Sequence, residues 1–189
     1  MNYRDGYEGK GDIDFEGMKF SFIKRNVRYF RVEFRAEGPV LVLPFGEDPI
    51  LFLKENKKRI KKNYDKLNTR KEIAEKLSFS KRNSEEFNNI VENYFDHFSA
   101  ELKVKYRAVK FRKMRKMWGN CRSNGIITLN SNLILLPERI ISYIIFHELL
   151  HLKVRGGHNL RFKTRMKAKF PDIKEIEEEL RSFFIKLNS

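Results

Sequence analysis

The sequence has few of the residues that staple, stiffen or break a chain. Cysteine occurs once, at Cys121, so no intrachain disulfide can form and the fold does not rest on an oxidising compartment. Proline (5) and glycine (10) are scarce among 189 residues, which excludes collagen-like and low-complexity chains. No apolar run approaches the ~20 residues of a membrane helix. The longest, Ile140–Phe146, is interrupted by Ser142. Residues 1–16 are polar and charged and do not read as a secretory signal, so the expected compartment is the cytoplasm, with no membrane partner. Acidic residues are in short supply too: 25 against 40 Lys and Arg, a net charge of +15. That excess favours anionic partners such as nucleic acid, nucleotides or phosphorylated substrates. What is plentiful is apolar surface. At 41% hydrophobic residues the chain can bury a core, and its length suits one domain, or one domain with a small subdomain.

Residues 1–17 show little periodicity and read as a loose lead-in. Alternation then predicts strands around Phe20 and Phe22, around Phe30–Phe34, and at Val40–Leu43 after the Ala36–Pro39 turn. Asp48-Pro49 reads as an N-cap and first helical residue. One helix follows, with Leu53, Ile60, Tyr64 and Leu67 on one face and Lys57–Lys62 supplying a basic face. Residues 68–82 read as a short helix and a loop at a subdomain boundary. Asn83 with Glu86 predicts a capping box opening a second helix. Alternation resumes from Lys103 to Met117, with a phase slip at Arg107–Val109 read as a bulge. Ser123-Asn124-Gly125 predicts a hairpin turn and Ile126–Leu129 its return strand. A helix from Pro137-Glu138 is apolar almost all round, so it should be buried. Gly156-Gly157 ends it, a short helix follows from Asn159, and an amphipathic last helix starts near Ile173. The expected fold class is α+β: a β-rich part with a basic helix over residues 1–82, then a catalytic half with an antiparallel sheet over 83–189, the two forming one compact unit.

The buried helix carries His147-Glu148-Leu149-Leu150-His151. Residues four apart on a helix project from one face, so the two imidazoles can share a metal ion. Glu148, beside the first ligand, is placed to reach a water next to that ion. His158 follows the glycine turn, and three protein ligands leave an open position in a tetrahedral zinc site. Glu175, Glu177, Glu178 and Glu179 are alternative third ligands. From Lys103 to Arg122 there are nine cations, and no acidic residue occurs from Leu102 to Pro137. Lys110, Arg112 and Arg122 are the candidate partners of an anionic substrate group. Trp118 reads as a packing anchor, Cys121 as a small buried residue and His97 as a solvated side chain.

These blocks resemble a known family. Val109–Arg122, V-K-F-R-K-M-R-K-M-W-G-N-C-R, is similar to the stretch ending in Trp-Gly-Ser-Cys of the YgjP-like metal-dependent hydrolases. The match continues through Leu129-Asn130, through His147–Leu152 and through His158 with Phe162 and Pro171. Asn120 and Met117 depart from the usual serine and arginine. The resemblance implies a zincin-like half related to the SprT and WLM proteases. It also implies Zn²⁺ or another divalent ion held by His147, His151 and His158, and Glu148 as the catalytic carboxylate. Three functional readings result. The first is a zinc-dependent hydrolase of metallopeptidase type with Glu148 as general base. The second is a nucleoside triphosphate pyrophosphatase, since some bacterial members are described as hydrolysing UTP to UMP and pyrophosphate. The third is a nucleic-acid-associated protease or binding protein. The partners expected are an anionic small-molecule or peptide substrate, with nucleic acid a further candidate.

Overall fold

A computed structural model describes residues 9–188, so the front half of the expected lead-in, residues 1–8, lies outside it. The described chain is α+β, with two small sheets and six α-helices. It divides into two compact units. One takes the chain up to Lys76 and from Arg181 onward, and the other is Leu77–Leu180. The last helix contributes residues to both.

The first unit is built on a four-stranded sheet: β1 (Lys10–Phe15), β2 (Met18–Lys24), β3 (Arg31–Phe34) and β4 (Pro39–Leu43), in the order β1-β2-β4-β3. Strand β1 corrects the expectation of a loose lead-in through residue 17. Ile13 and Phe15 alternate inward, and the strand closes a hairpin on β2 with Phe15 opposite Met18. Its turn, Glu16-Gly17, has positive φ at both residues, as a two-residue hairpin of matching twist requires. Strand β2 runs parallel to β4, and β3 antiparallel to it. Lying in the middle, β4 is buried at all five positions, which explains its unbroken apolar sequence. Phe20, Phe22, Leu41, Leu43, Leu53 and Ile60 form the core. Burial of each such side chain contributes roughly 1.5–3 kcal/mol.

The predicted single basic helix is two. Helix α1 (Pro49–Glu55) starts where expected, with Asp48 accepting from Ile50 N–H at 2.8 Å. It ends at Asn56, whose side chain turns back to donate to Phe52 O. Helix α2 then runs from Lys57 to Lys76, well past the predicted end, because Leu67 and Ala74 keep an apolar stripe that packs with Ile185.

In the second unit, α3 (Ser84–Leu102) has the predicted capping box between Asn83 and Glu86. Strands β5 (Ala108–Arg112), β6 (Gly119–Cys121) and β7 (Ile126–Asn130) make a sheet in the order β5-β7-β6. The β6–β7 hairpin is antiparallel, as expected, but β5 pairs with β7 in parallel. The phase slip at Arg107–Val109 is not a bulge. Strand β5 begins only at Ala108, after Arg107 N–H donates to Gly125 O at 2.8 Å. A 3-10 turn, Ser131–Leu135, leads to α4 (Glu138–Lys153). Helices α5 (Leu160–Lys169) and α6 (Ile173–Asn188) complete the chain. No helix among the described residues is long and apolar enough to cross a membrane.

Candidate active site

Helix α4 is buried from Ile140 to Phe146 and again at Leu149 and Leu150, so its rotation about its own axis is fixed by packing. Against it lie α3 and β6, and Tyr94 of α3 donates to the Glu138 carboxylate at 2.9 Å. Fixing that rotation sends His147 and His151 out on one face, with ring centroids 5.0 Å apart. The chain then reverses through Gly156 (φ 92°) and Gly157 (φ 70°), a left-handed pair that side chains disfavour. Asn159 fastens this reversal: its Nδ2 donates to Arg155 O at 3.1 Å, and its Oδ1 caps α5 by accepting from Phe162 N–H at 3.0 Å. His158 is thereby brought over the helix. His147 Nε2 lies 2.9 Å from His158 Nε2 and 3.3 Å from His151 Nε2.

The three imidazoles offer one ligand atom each within 4.8 Å of one another, and among the described residues no cysteine or carboxylate joins them. Two of the alternative glutamates are engaged elsewhere. Glu179 pairs with Arg139, and Glu177 accepts from Tyr143. A tetrahedral ion bound at ~2.0–2.1 Å would hold its nitrogens roughly 3.3 Å apart, close to the spacing seen. The protonation state fits as well. Burial holds His147 down to about 3, with His151 and His158 adding repulsion, and burial also lowers His151. Neutral imidazole is the form that binds a divalent ion. One ring touches all three imidazoles: Phe162, itself buried, lies 5.0, 4.6 and 4.9 Å from the centroids of His147, His151 and His158.

Glu148 is 5% exposed. Burial pushes its carboxyl up to about 8, opposed by a hydrogen bond from Cys121 N–H. That bond seats the carboxylate against β6. Gly119 makes the seat. A β-carbon there would lie 2.8 Å from Glu148 Cδ and closer still to Oε1. Strand β6 is held in turn by Asn130, which is fully buried. Its Nδ2 donates to Met114 O at 2.7 Å and Met117 O at 3.0 Å, and its backbone N–H to Trp118 O at 2.8 Å. Trp118 is the packing anchor expected, with Nε1 donating to Leu180 O. The Cys121 thiol is pushed up to about 11 by burial and by the Glu148 charge, which makes it a poor nucleophile at neutral pH.

The histidines and Glu148 line a cleft of about 810 Å³ together with β6, Arg122 and Arg155. Of the three cations expected to meet substrate, the structure brings Arg122 to the cleft. Lys110 and Arg112 sit on β5, across β7 from β6, and do not line it. Sequence reasoning missed the roles of Gly119 and Asn159, and Arg155 altogether. The only signal was that glycine and asparagine stood beside the motif residues.

Residues 37–183 match the family model for the YgjP-like metallopeptidase domain. No curated protein matches the chain. Similar solved structures include the metallopeptidase zymogen of Pyrococcus abyssi abylysin, at 29% identity and a TM-score of 0.44 over 48% of this chain and 90% of that one. Another is the metallopeptidase zymogen of Methanocaldococcus jannaschii jannalysin, at 17% identity and 0.44 over 56% of this chain and 93% of that one. With the match covering most of its length, the chain belongs to the YgjP-like metallopeptidase-domain family.

Proposed function

We propose that the protein is a metal-dependent peptidase in which Glu148 serves as general base. The observation that carries this reading is a buried carboxylate, fixed by a backbone N–H, one residue from a three-imidazole cluster. His147, His151 and His158 would hold the ion. When bound, a divalent ion supplies Lewis acidity: it lowers the pKa of a water toward ~7 and polarises the scissile carbonyl. Everything else falls to the chain. Glu148 takes the proton of the attacking water and delivers it to the departing amine. Strand β6 is an edge strand; its Cys121 N–H is held by Glu148, and an extended peptide can pair with the remaining backbone groups of that edge beside the carboxylate. Gly119 leaves the room that the carboxylate occupies. In the test, Glu148→Gln keeps its bound metal and loses peptide hydrolysis. Equal hydrolysis by the variant overturns the assignment of the base.

A second reading, hydrolysis of nucleoside triphosphates to monophosphate and pyrophosphate, is favoured by Arg122 and Arg155 in the cleft. Pyrophosphate release by the wild-type chain, absent in Glu148→Gln, together with no cleavage of unfolded protein, would replace the peptidase reading with this one.

A further inference from the structure

Beside the cleft lies a second cavity that the metal chemistry does not use. It is an open recess of about 600 Å³ lined by Lys103, Lys105, Arg107 and Lys153 with the 123–125 turn. Ser123 and Leu152 line both spaces, so the two adjoin. With Arg122 and Arg155 on the cleft side, six cations follow one track. Among the described residues none of the six makes an ion pair or a side-chain hydrogen bond. Two cations elsewhere in this unit are paired, Arg139 with Asp172 and Glu179 and Lys169 with Glu101. Lys103 and Lys153 have a structural use, since they sit at the C-termini of α3 and α4 and complement those dipoles. Lys105, Arg107 and Arg122 belong to no helix.

The track has a direction. Strand β6 leads from Gly119, beside Glu148, to Arg122 and the turn that walls the basic cavity. At ~3.3 Å per residue, an extended chain laid along this edge reaches the turn within about four residues of the carboxylate. We propose that the cleft selects polypeptides carrying acidic residues on the Arg122 side of the scissile bond, their carboxylates seated in the basic cavity. The proposal rests on the peptidase reading above. The edge strand favours a polypeptide over a phosphate chain, because it offers backbone pairing that only a peptide can complete.

The test uses the metal-loaded full chain and matched fluorogenic peptides that differ only by a run of Glu against Gln on one side of the cleaved bond. The acidic peptide should show about tenfold higher kcat/KM, as a few partly screened charge pairs give, and the ratio should shrink with added salt. In Lys105→Glu/Arg107→Glu the ratio should fall to about one or invert. In the charge-matched control Lys163→Glu/Lys167→Glu, on the exposed face of α5, it should persist. A ratio near one in the wild type, or one unchanged in the Lys105/Arg107 variant, overturns the proposal. A binding measurement separates this from failure of the peptidase reading. Fluorescence anisotropy follows the acidic peptide, and a single-stranded oligonucleotide of equal charge, on Glu148→Gln. If no peptide is cleaved but the acidic peptide binds and Lys105→Glu/Arg107→Glu releases it, the acidic site stands and the peptidase reading falls. Tighter binding of the oligonucleotide, lost in that variant, assigns the cavity to nucleic acid and overturns the proposal.

Discussion

The two sheets use similar pieces for opposite ends. Each has a central strand with one parallel and one antiparallel neighbour. Each has a glycine on an edge strand pressed against a neighbouring side chain. In the first unit that glycine is Gly11, and a β-carbon there would meet the Phe22 ring at 2.6 Å. In the second it is Gly119, and what it would meet is the Glu148 carboxylate. Charges follow the same division. Glu33 lies between Arg31 and Arg35, and Lys57 meets Glu16, whereas the cations along the cleft have no partners. In one sheet, polar and steric complementarity is satisfied internally and supports the fold. In the other, the same kinds of group converge on space left open for something else.

The largest effects should come from the open side. His147→Ala should take bound metal from near-equimolar to near zero, read by elemental analysis. Metal retention in that variant would remove the imidazole cluster from the reading. Glu148→Gln should lower turnover by roughly 10²–10⁴-fold, the usual range for loss of a positioned acid–base group, with metal content unchanged. Gly119→Ala should come next. A displaced carboxylate should cost about 10²-fold in kcat with metal still bound. Gly11→Ala is its counterpart, expected to lower stability by about 1–3 kcal/mol through overpacking and to leave kcat alone. If both glycine variants act on stability only, the contrast between the sheets is lost.

Phe162→Ala should cost about 3–5 kcal/mol in stability. It should also weaken metal binding, followed by competition with a chelator, because the same ring braces all three imidazoles. The smallest effect is electrostatic. Arg35 and Arg31 hold Glu33 down to about 2, against an ordinary 4.5. The ionised form is thus favoured by folding, so its contribution is present above pH 4.5 and lost as pH falls toward 2. Being exposed, the cluster should give less than about 1 kcal/mol. In the metal-free protein Glu148 acts with the opposite sign. Its carboxyl is raised from 4.5 to about 8, so the neutral form is favoured by folding and stability declines as pH rises through that interval. Denaturant midpoints against pH, in wild type, Glu33→Gln and Glu148→Gln, separate the two slopes.

Features set by local periodicity were legible. His147 and His151 share a face because a helix repeats every 3.6 residues, and Asn83 with Glu86 marks its helix by capping chemistry alone. The hairpin turn at 123–125 was also readable from its residue types. Features set by distant partners were not. Nothing near Asn56 announces that one amphipathic stretch is two helices, and Leu67 and Ala74 extend α2 only because Ile185 packs there. Strand β5 is parallel to β7 because the chain between Arg112 and Gly119 first passes beyond the sheet, tied to Asn130 at Met114 and Met117. The value of Gly119 depends on an atom 29 positions away, and Arg155 enters the cleft only because the glycine turn folds back. Lys110 and Arg112 looked like cleft residues because they are near in sequence, yet a whole strand separates them from β6.

One asymmetry among the three imidazoles would set how an ion they hold comes and goes. Two of them belong to a rod clamped on most of its circumference, while the third hangs from a short glycine hinge latched by Asn159. Loading and release of an ion would therefore fall on His158 and not on α4. An ion held there would be enclosed on one side by residues 154–159 alone, and the latch between Asn159 and Arg155 would bear on how long it stays.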